Sequence, residues 1–113
     1  MAPTVLVDAE NVRRSVWPNI GPRELAELSA EWGRRHTAHV VVVFDGSGPV
    51  VEGVRTVESG PASADDELVA LARAEDGLIW LVTSDRELRE RVGNAAERVI
   101  GGGTFARELL RTD

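Results

Sequence analysis

Residues Ala38–Phe44 read Ala-His-Val-Val-Val-Val-Phe, an apolar run with almost no polar alternation. Such a strand suits a sheet covered on both faces, because a sheet with one wet face places a polar residue at every second position. Other runs share its character. Thr4-Val5-Leu6-Val7-Asp8 and Leu78–Thr83 read as buried strands, Arg98-Val99-Ile100 as a short last strand and Val54–Val57 as a weaker one. Helical patterns fall between them. Pro22 fits a first helical turn, and behind it Leu25, Leu28 and Trp32 lie at i, i+3 and i+7. Ser63 with Asp66 fits a capping box ahead of Leu68, Leu71 and Ala72, and Ser84 with Glu87 fits a second, whose helix stops near Gly93. Asp45-Gly46-Ser47-Gly48-Pro49 breaks the chain after the valine strand, and Thr104 is placed to cap a closing helix with Phe105, Leu109 and Leu110.

Strands alternating with helices imply an α/β fold: a mainly parallel sheet, right-handed crossovers and helices on both faces. A folded chain of this mass exposes roughly 6,000 Å² against about 17,700 Å² unfolded. That supports one domain, residues 1–113, with a radius of gyration of about 13 Å. The longest apolar run, Val40–Phe44, is too short to span a bilayer, and the N-terminus lacks the pattern of a secretory signal. The expectation is a soluble, cytoplasmic protein that does not engage a membrane. With no cysteine, a disulfide framework, a zinc ribbon and a thiol nucleophile are excluded.

In parallel α/β sheets the ligand site lies beyond the carboxyl ends of the strands. Asp8 ends the first strand, Asp45 ends the valine strand, and Asp85 follows the fourth with only Ser84 between them. Asp65 and Asp66 open a helix that enters from the same side, so a parallel sheet brings all five toward one edge. Two unit charges 4 Å apart repel by about 4 kcal/mol at an effective dielectric near 20. Such a cluster needs protons, arginines or a cation, and all-oxygen donors favour Mg²⁺ or Mn²⁺. A site of that kind activates water and offsets charge on a phosphodiester. Each aspartate alone also has a structural reading, as a strand-end, turn or helix-cap acid. Taken together they exceed what any structural rule requires.

Around the acids, Asn11 is placed to hold water or a scissile phosphate, or else to cap a turn. Thr83 and Ser84 are within reach of the same cluster, with Ser84 reading first as a helix N-cap. Arg86, Arg13 and Arg14 are candidates for substrate phosphates, with a solvated surface role as the alternative. His36 and His39 fall at a helix-to-strand junction on the opposite edge. Trp17, Trp32 and Trp80 read as core or groove-lining residues ahead of base-stacking platforms, and only the Trp17-Pro18 loop is placed to reach a nucleic-acid strand. The formal net charge of −6 argues against binding nucleic acid by bulk electrostatics alone. All the basic residues are arginine, so a mechanism needing lysine is excluded.

These residues resemble a known family. Val5-Leu6-Val7-Asp8-Ala9-Glu10-Asn11-Val12 is similar to the opening D-x-x-N motif of NYN-domain proteins, and Val43-Phe44-Asp45-Gly46 to their second-strand motif. Ser63-Ala64-Asp65-Asp66 resembles their S-A-D-D segment, Val82–Leu88 their V-T-S-D-R-x-L segment, and Gly103-Thr104-Phe105 with Leu109 their closing pattern. The order and spread of these motifs resemble the YacP-like branch of the NYN group, within the PIN-like nuclease superfamily. The resemblance implies a three-layer α/β/α fold and a metal-dependent endoribonuclease. Asp8, Asp65, Asp66 and Asp85 would be the Mg²⁺- or Mn²⁺-binding acids, supported by Asn11 and Ser84. Adjacent helical residues diverge by about 100°, so one of Asp65 and Asp66 is expected to touch metal, with a slight preference for Asp66.

The expected substrate is single-stranded RNA. The acidic charge suggests presentation by the ribosome or another protein, and a homodimer is left open. The competing readings are a non-catalytic NYN module binding RNA or protein, a metal-dependent phosphatase, and a receiver-like phosphoacceptor. The last is disfavoured by the missing lysine.

Overall fold

The computed structural model describes residues 2–111. Five strands, β1 (Thr4–Asp8), β2 (His39–Phe44), β3 (Arg55–Glu58), β4 (Ile79–Val82) and β5 (Arg98–Ile100), form one sheet in the order β3-β2-β1-β4-β5. Every pairing is parallel. The helices are α1 (Ala9–Arg14), α2 (Pro22–His36), α3 (Ala64–Ala74), α4 (Arg86–Val92) and α5 (Gly102–Leu109).

Strand side chains alternate between the two faces. Val5, Val7, Val40, Val42 and Phe44 pack with Val12 of α1, Leu25 and Trp32 of α2, and Phe105 and Leu109 of α5. Leu6, Val41, Val43, Ile79 and Leu81 pack with Leu68 and Ala72 of α3 and with Leu88 and Val92 of α4. The unbroken valine run therefore reflects two cores, one on each face. The accessible surface of 6297 Å² and the radius of gyration of 12.6 Å match the expectation from chain length. Among the described residues no helix is long and apolar enough to cross a membrane.

Several boundaries move from their sequence positions for local reasons. Ala38 precedes β2 because its N–H bonds Gly33 O at 2.9 Å, completing the left-handed C-cap of α2 at Thr37. The weak strand runs Arg55–Glu58 rather than Val54–Val57, set by its register with Val41–Phe44. The closing helix starts at Gly102, so Thr104 lies inside it and does not cap it: Phe105 N–H already bonds Gly101 O at 3.0 Å. Helix α1 was not foreseen. Its signals are the buried pair Ala9 and Val12, three apart, and Glu10 with ion-pair partners Arg13 and Arg14 at i+3 and i+4.

The strand order reverses at β1, whose neighbours are β2 and β4. That is the position at which an open α/β sheet leaves a crevice beyond its strand ends. Leu6, at the centre of β1 and fully buried, tests the packing that holds this point in place. Leu6→Ala is expected to cost about 2–5 kcal/mol, read as a lowered urea midpoint. A loss below about 1 kcal/mol would contradict the two-sided core.

Candidate active site

Asp8 lies at the C-terminal end of the central strand and is 6% exposed. β1 pairs with β4 through Val7 and Val82, which sets Asp8 beside Thr83 across the switch point. Thr83 Oγ1 donates to Asp8 Oδ2 at 2.9 Å and in turn accepts from Asp85 N–H at 3.1 Å. The buried hydroxyl thus ties the first acid to the loop carrying the third. Burial raises the pKa of Asp8 above 3.8, and the charges of Asp65 and Asp85 raise it further. The Thr83 hydrogen bond and one from the Asn11 backbone oppose that rise.

Asp85, not Ser84, caps α4: its Oδ1 accepts from Glu87 N–H at 2.9 Å and Leu88 N–H at 3.3 Å. Its Oδ2 has no hydrogen-bond partner among the described residues. Ser84 is used elsewhere. Its N–H donates to Asn11 Oδ1 at 2.9 Å, and its Oγ accepts from Gly102 N–H at 2.8 Å. Asn11 therefore clasps α1 to the β4–α4 loop, and Ser84 clasps that loop to α5. A Cβ on Gly102 would lie 2.1 Å from Asn11 Oδ1, so only glycine allows this approach.

Asp65 and Asp66 open α3 behind the Ser63 cap, whose Oγ accepts from Asp66 N–H at 3.1 Å. The two side chains diverge as the helix requires, but in the order opposite to the sequence preference. Asp66 turns outward and pairs with Arg91 at 2.7 Å, which lowers its pKa. Asp65 turns inward and has no hydrogen-bond or ion-pair partner among the described residues. Burial and then the charge of Asp85 raise its pKa.

Asp8, Asp65 and Asp85 line an open cavity of about 390 Å³ with Glu10, Asn11, Arg14, Ser15 and Ser84. An adjoining cavity of about 390 Å³ shares Asp8, Glu10, Arg14 and Asp65 and reaches Asp45. Asp45 Oδ1 accepts from Ala64 N–H at 3.2 Å, so this turn acid fixes the start of α3 and thereby the aim of Asp65. Glu10 was not singled out from the sequence, where it sits inside the D-x-x-N segment. Its carboxylate is neutralised by Arg13 at 2.7 Å and Arg14 at 3.5 Å.

The arginines divide by commitment. Arg13 also donates from Nε to Ile20 O at 2.7 Å and so serves the fold. Arg14 is largely exposed and lines both cavities. Arg86 is exposed on the first turn of α4, with no partner among the described residues, and lines neither of these two cavities. His36 ends α2 and His39 begins β2, on the edge opposite the acids. His36 stacks on Trp32, and His39 lines a separate cavity of about 310 Å³ that contains no acid.

Among the described residues no group of three or more His, Cys, Asp or Glu side chains forms a ready metal-holding set. The donor chemistry nonetheless fits a hard divalent cation: three carboxylates around one cavity, two of them with unused oxygens, and pKa values of Asp8 and Asp65 raised first by burial and further by the neighbouring acids.

A raised carboxylate favours the folded protein at low pH and loses that contribution as pH climbs from 3.8 to the raised value. Asp8→Asn, which keeps an oxygen for Thr83, is therefore expected to melt above wild type at pH 7. That advantage should vanish below pH 3.8. An advantage that instead grows on acidification would contradict the assigned burial.

No protein-family model matches the chain, and no curated protein matches it in sequence. Two crystal structures of Rae1 (YacP) from Bacillus subtilis match in fold. One, of a tryptophan-to-leucine mutant, has a TM-score of 0.79 and 22% identity over 96% of this chain and 75% of that one. The other has a TM-score of 0.75 and 24% identity over 94% of this chain and 72% of that one. The all-parallel five-stranded sheet and these likenesses together give the chain the α/β fold of Rae1 (YacP).

Proposed function

We propose that the chain is a metal-dependent endoribonuclease acting on single-stranded RNA. The observation that carries this reading is the convergence of Asp8, Asp65 and Asp85 on one open cavity at the switch point, with carboxylate oxygens left unused. These three acids would hold Mg²⁺ or Mn²⁺. When bound, such a cation supplies Lewis-acid stabilisation of a phosphodiester and lowers the pKa of water beside it. The motif resemblance supports RNA as the polymer.

The chain's own residues supply position and charge. Thr83 holds the Asp8 carboxylate in one orientation, and the helix cap does the same for Asp85. Asn11 and Ser84 hold the loops that carry these acids at a fixed spacing. Arg14 brings a largely exposed guanidinium to the cavity, suited to a phosphate oxygen of the incoming strand. Asp66, paired with Arg91, steadies the first turn of α3 at the surface and is assigned no metal contact. The formal net charge of −6 supports presentation of RNA by a ribosome or protein partner over capture by long-range attraction.

The test is cleavage of matched single-stranded RNA and DNA with Mn²⁺ or Mg²⁺, with EDTA as a control. Asp65→Asn is expected to lower turnover by on the order of 100-fold or more. Asp66→Asn should keep it, since an exposed ion pair contributes little. Equal losses in both variants would refute the division of labour. Melting raised by Mn²⁺ with no cleavage of either polymer would favour a non-catalytic binding module.

A further inference from the structure

We propose that Trp17 is a stacking platform for a base of the substrate strand, at the rim of the carboxylate cavity. This rests on the nuclease reading above and names how that site holds its RNA. The three tryptophans are placed differently. Trp32 is buried among α2 and α5, and Trp80 lies beneath the Arg98 guanidinium, 4.7 Å from the ring centre. Trp17 is 89% exposed, the most exposed of the large apolar side chains. An indole in water contributes nothing to the core, so the fold does not account for it.

Its placement does. Ser15 and Arg14 line the cavity with Asp8, Asp65 and Asp85, and Trp17 follows Ser15 by two residues. Two residues of chain span at most about 7 Å. The loop is pinned on both sides. Ile20 N–H bonds Arg13 O at 3.1 Å, Arg13 Nε bonds Ile20 O at 2.7 Å, and Val16 packs against the core. The indole is thus presented from a fixed base rather than a floppy tip, which reduces the ordering needed on binding.

A nucleobase is the occupant that the surroundings favour. Arg14, three residues before Trp17 in the chain, suits the phosphate of a stacked nucleotide, and the cavity it lines holds the acids suited to the next phosphodiester. Stacking also tolerates any base and does not depend on charge, so it suits a chain whose net charge repels RNA.

Wild type, Trp17→Ala and Trp17→Phe are compared for cleavage of a single-stranded oligoribonucleotide with Mn²⁺, and for its binding in EDTA by fluorescence anisotropy. Trp17→Ala is expected to raise KM and Kd by about tenfold with kcat and melting temperature unchanged, and Trp17→Phe to retain most of the affinity. Unchanged KM and Kd in Trp17→Ala would overturn the proposal, as would a change of oligomeric state without loss of RNA affinity, which would assign the indole to a protein contact. If wild type cleaves nothing, anisotropy decides alone: a Trp17-dependent Kd upholds the platform while the nuclease reading fails, and a Kd indifferent to Trp17 overturns the platform.

Discussion

A carboxylate at the end of the central strand, almost sealed from water, is expensive to keep ionised. Asp8 is that carboxylate, and the arrangement around it follows from the need to satisfy it. The Thr83 hydroxyl reaches it from the end of β4, and the Asn11 backbone from helix α1, which starts at the next residue. The Thr83 contact depends on the parallel register of β1 with β4, in which Val7 faces Val82. The same register carries Asp85 toward Asp8, and the α3 entry carries Asp65. The sheet thus creates a charge problem at its switch point that its own hydrogen bonds only partly relieve. Burial first, and the neighbouring acids after it, raise the pKa values of Asp8 and Asp65, and the cation we propose would offset the charge gathered there.

Rigidity at the site comes from short links between elements that are distant in sequence. Asn11 to Ser84 to Gly102 joins α1, the β4–α4 loop and α5 in two hydrogen bonds. The joint works only because residue 102 lacks a side chain. Asp45 performs the same service for α3, anchoring Ala64 so that Asp65 points inward. Acids that read as turn or cap residues and acids that read as ligands are therefore parts of one construction. Asp85 does both, with one oxygen on the helix and the other unused.

The fold was legible because the three inner strands β1, β2 and β4 read as buried on both faces, the valine run of β2 most clearly. Alternating capping patterns and the parallel rule place Asp8, Asp45, Asp65, Asp66 and Asp85 at one edge from the sequence alone. What was not legible depended on which partner a polar side chain chooses. Ser84 reads as a cap, but its hydroxyl is taken by Gly102, and Asp85 caps in its place. The spacing slightly prefers Asp66 over Asp65, whereas in the fold Asp45 anchors the start of α3 with Asp65 inward and Arg91, a helix away, pairs with the outward Asp66. Helix α1 is too short for a recognisable apolar stripe, which hid Glu10 and the aim of Arg14.

We propose that the three convergent acids form a divalent-cation site. Paramagnetic broadening by Mn²⁺ tests it most directly, read residue by residue on the backbone amides of the folded chain. A cation held there broadens the amides around Asp8, Asn11, Asp65 and Asp85 most strongly, an effect abolished in Asp8→Asn, and affects those at the opposite sheet edge near His39 least. Broadening that spreads evenly over the acidic surface, or that survives Asp8→Asn unchanged, would contradict it.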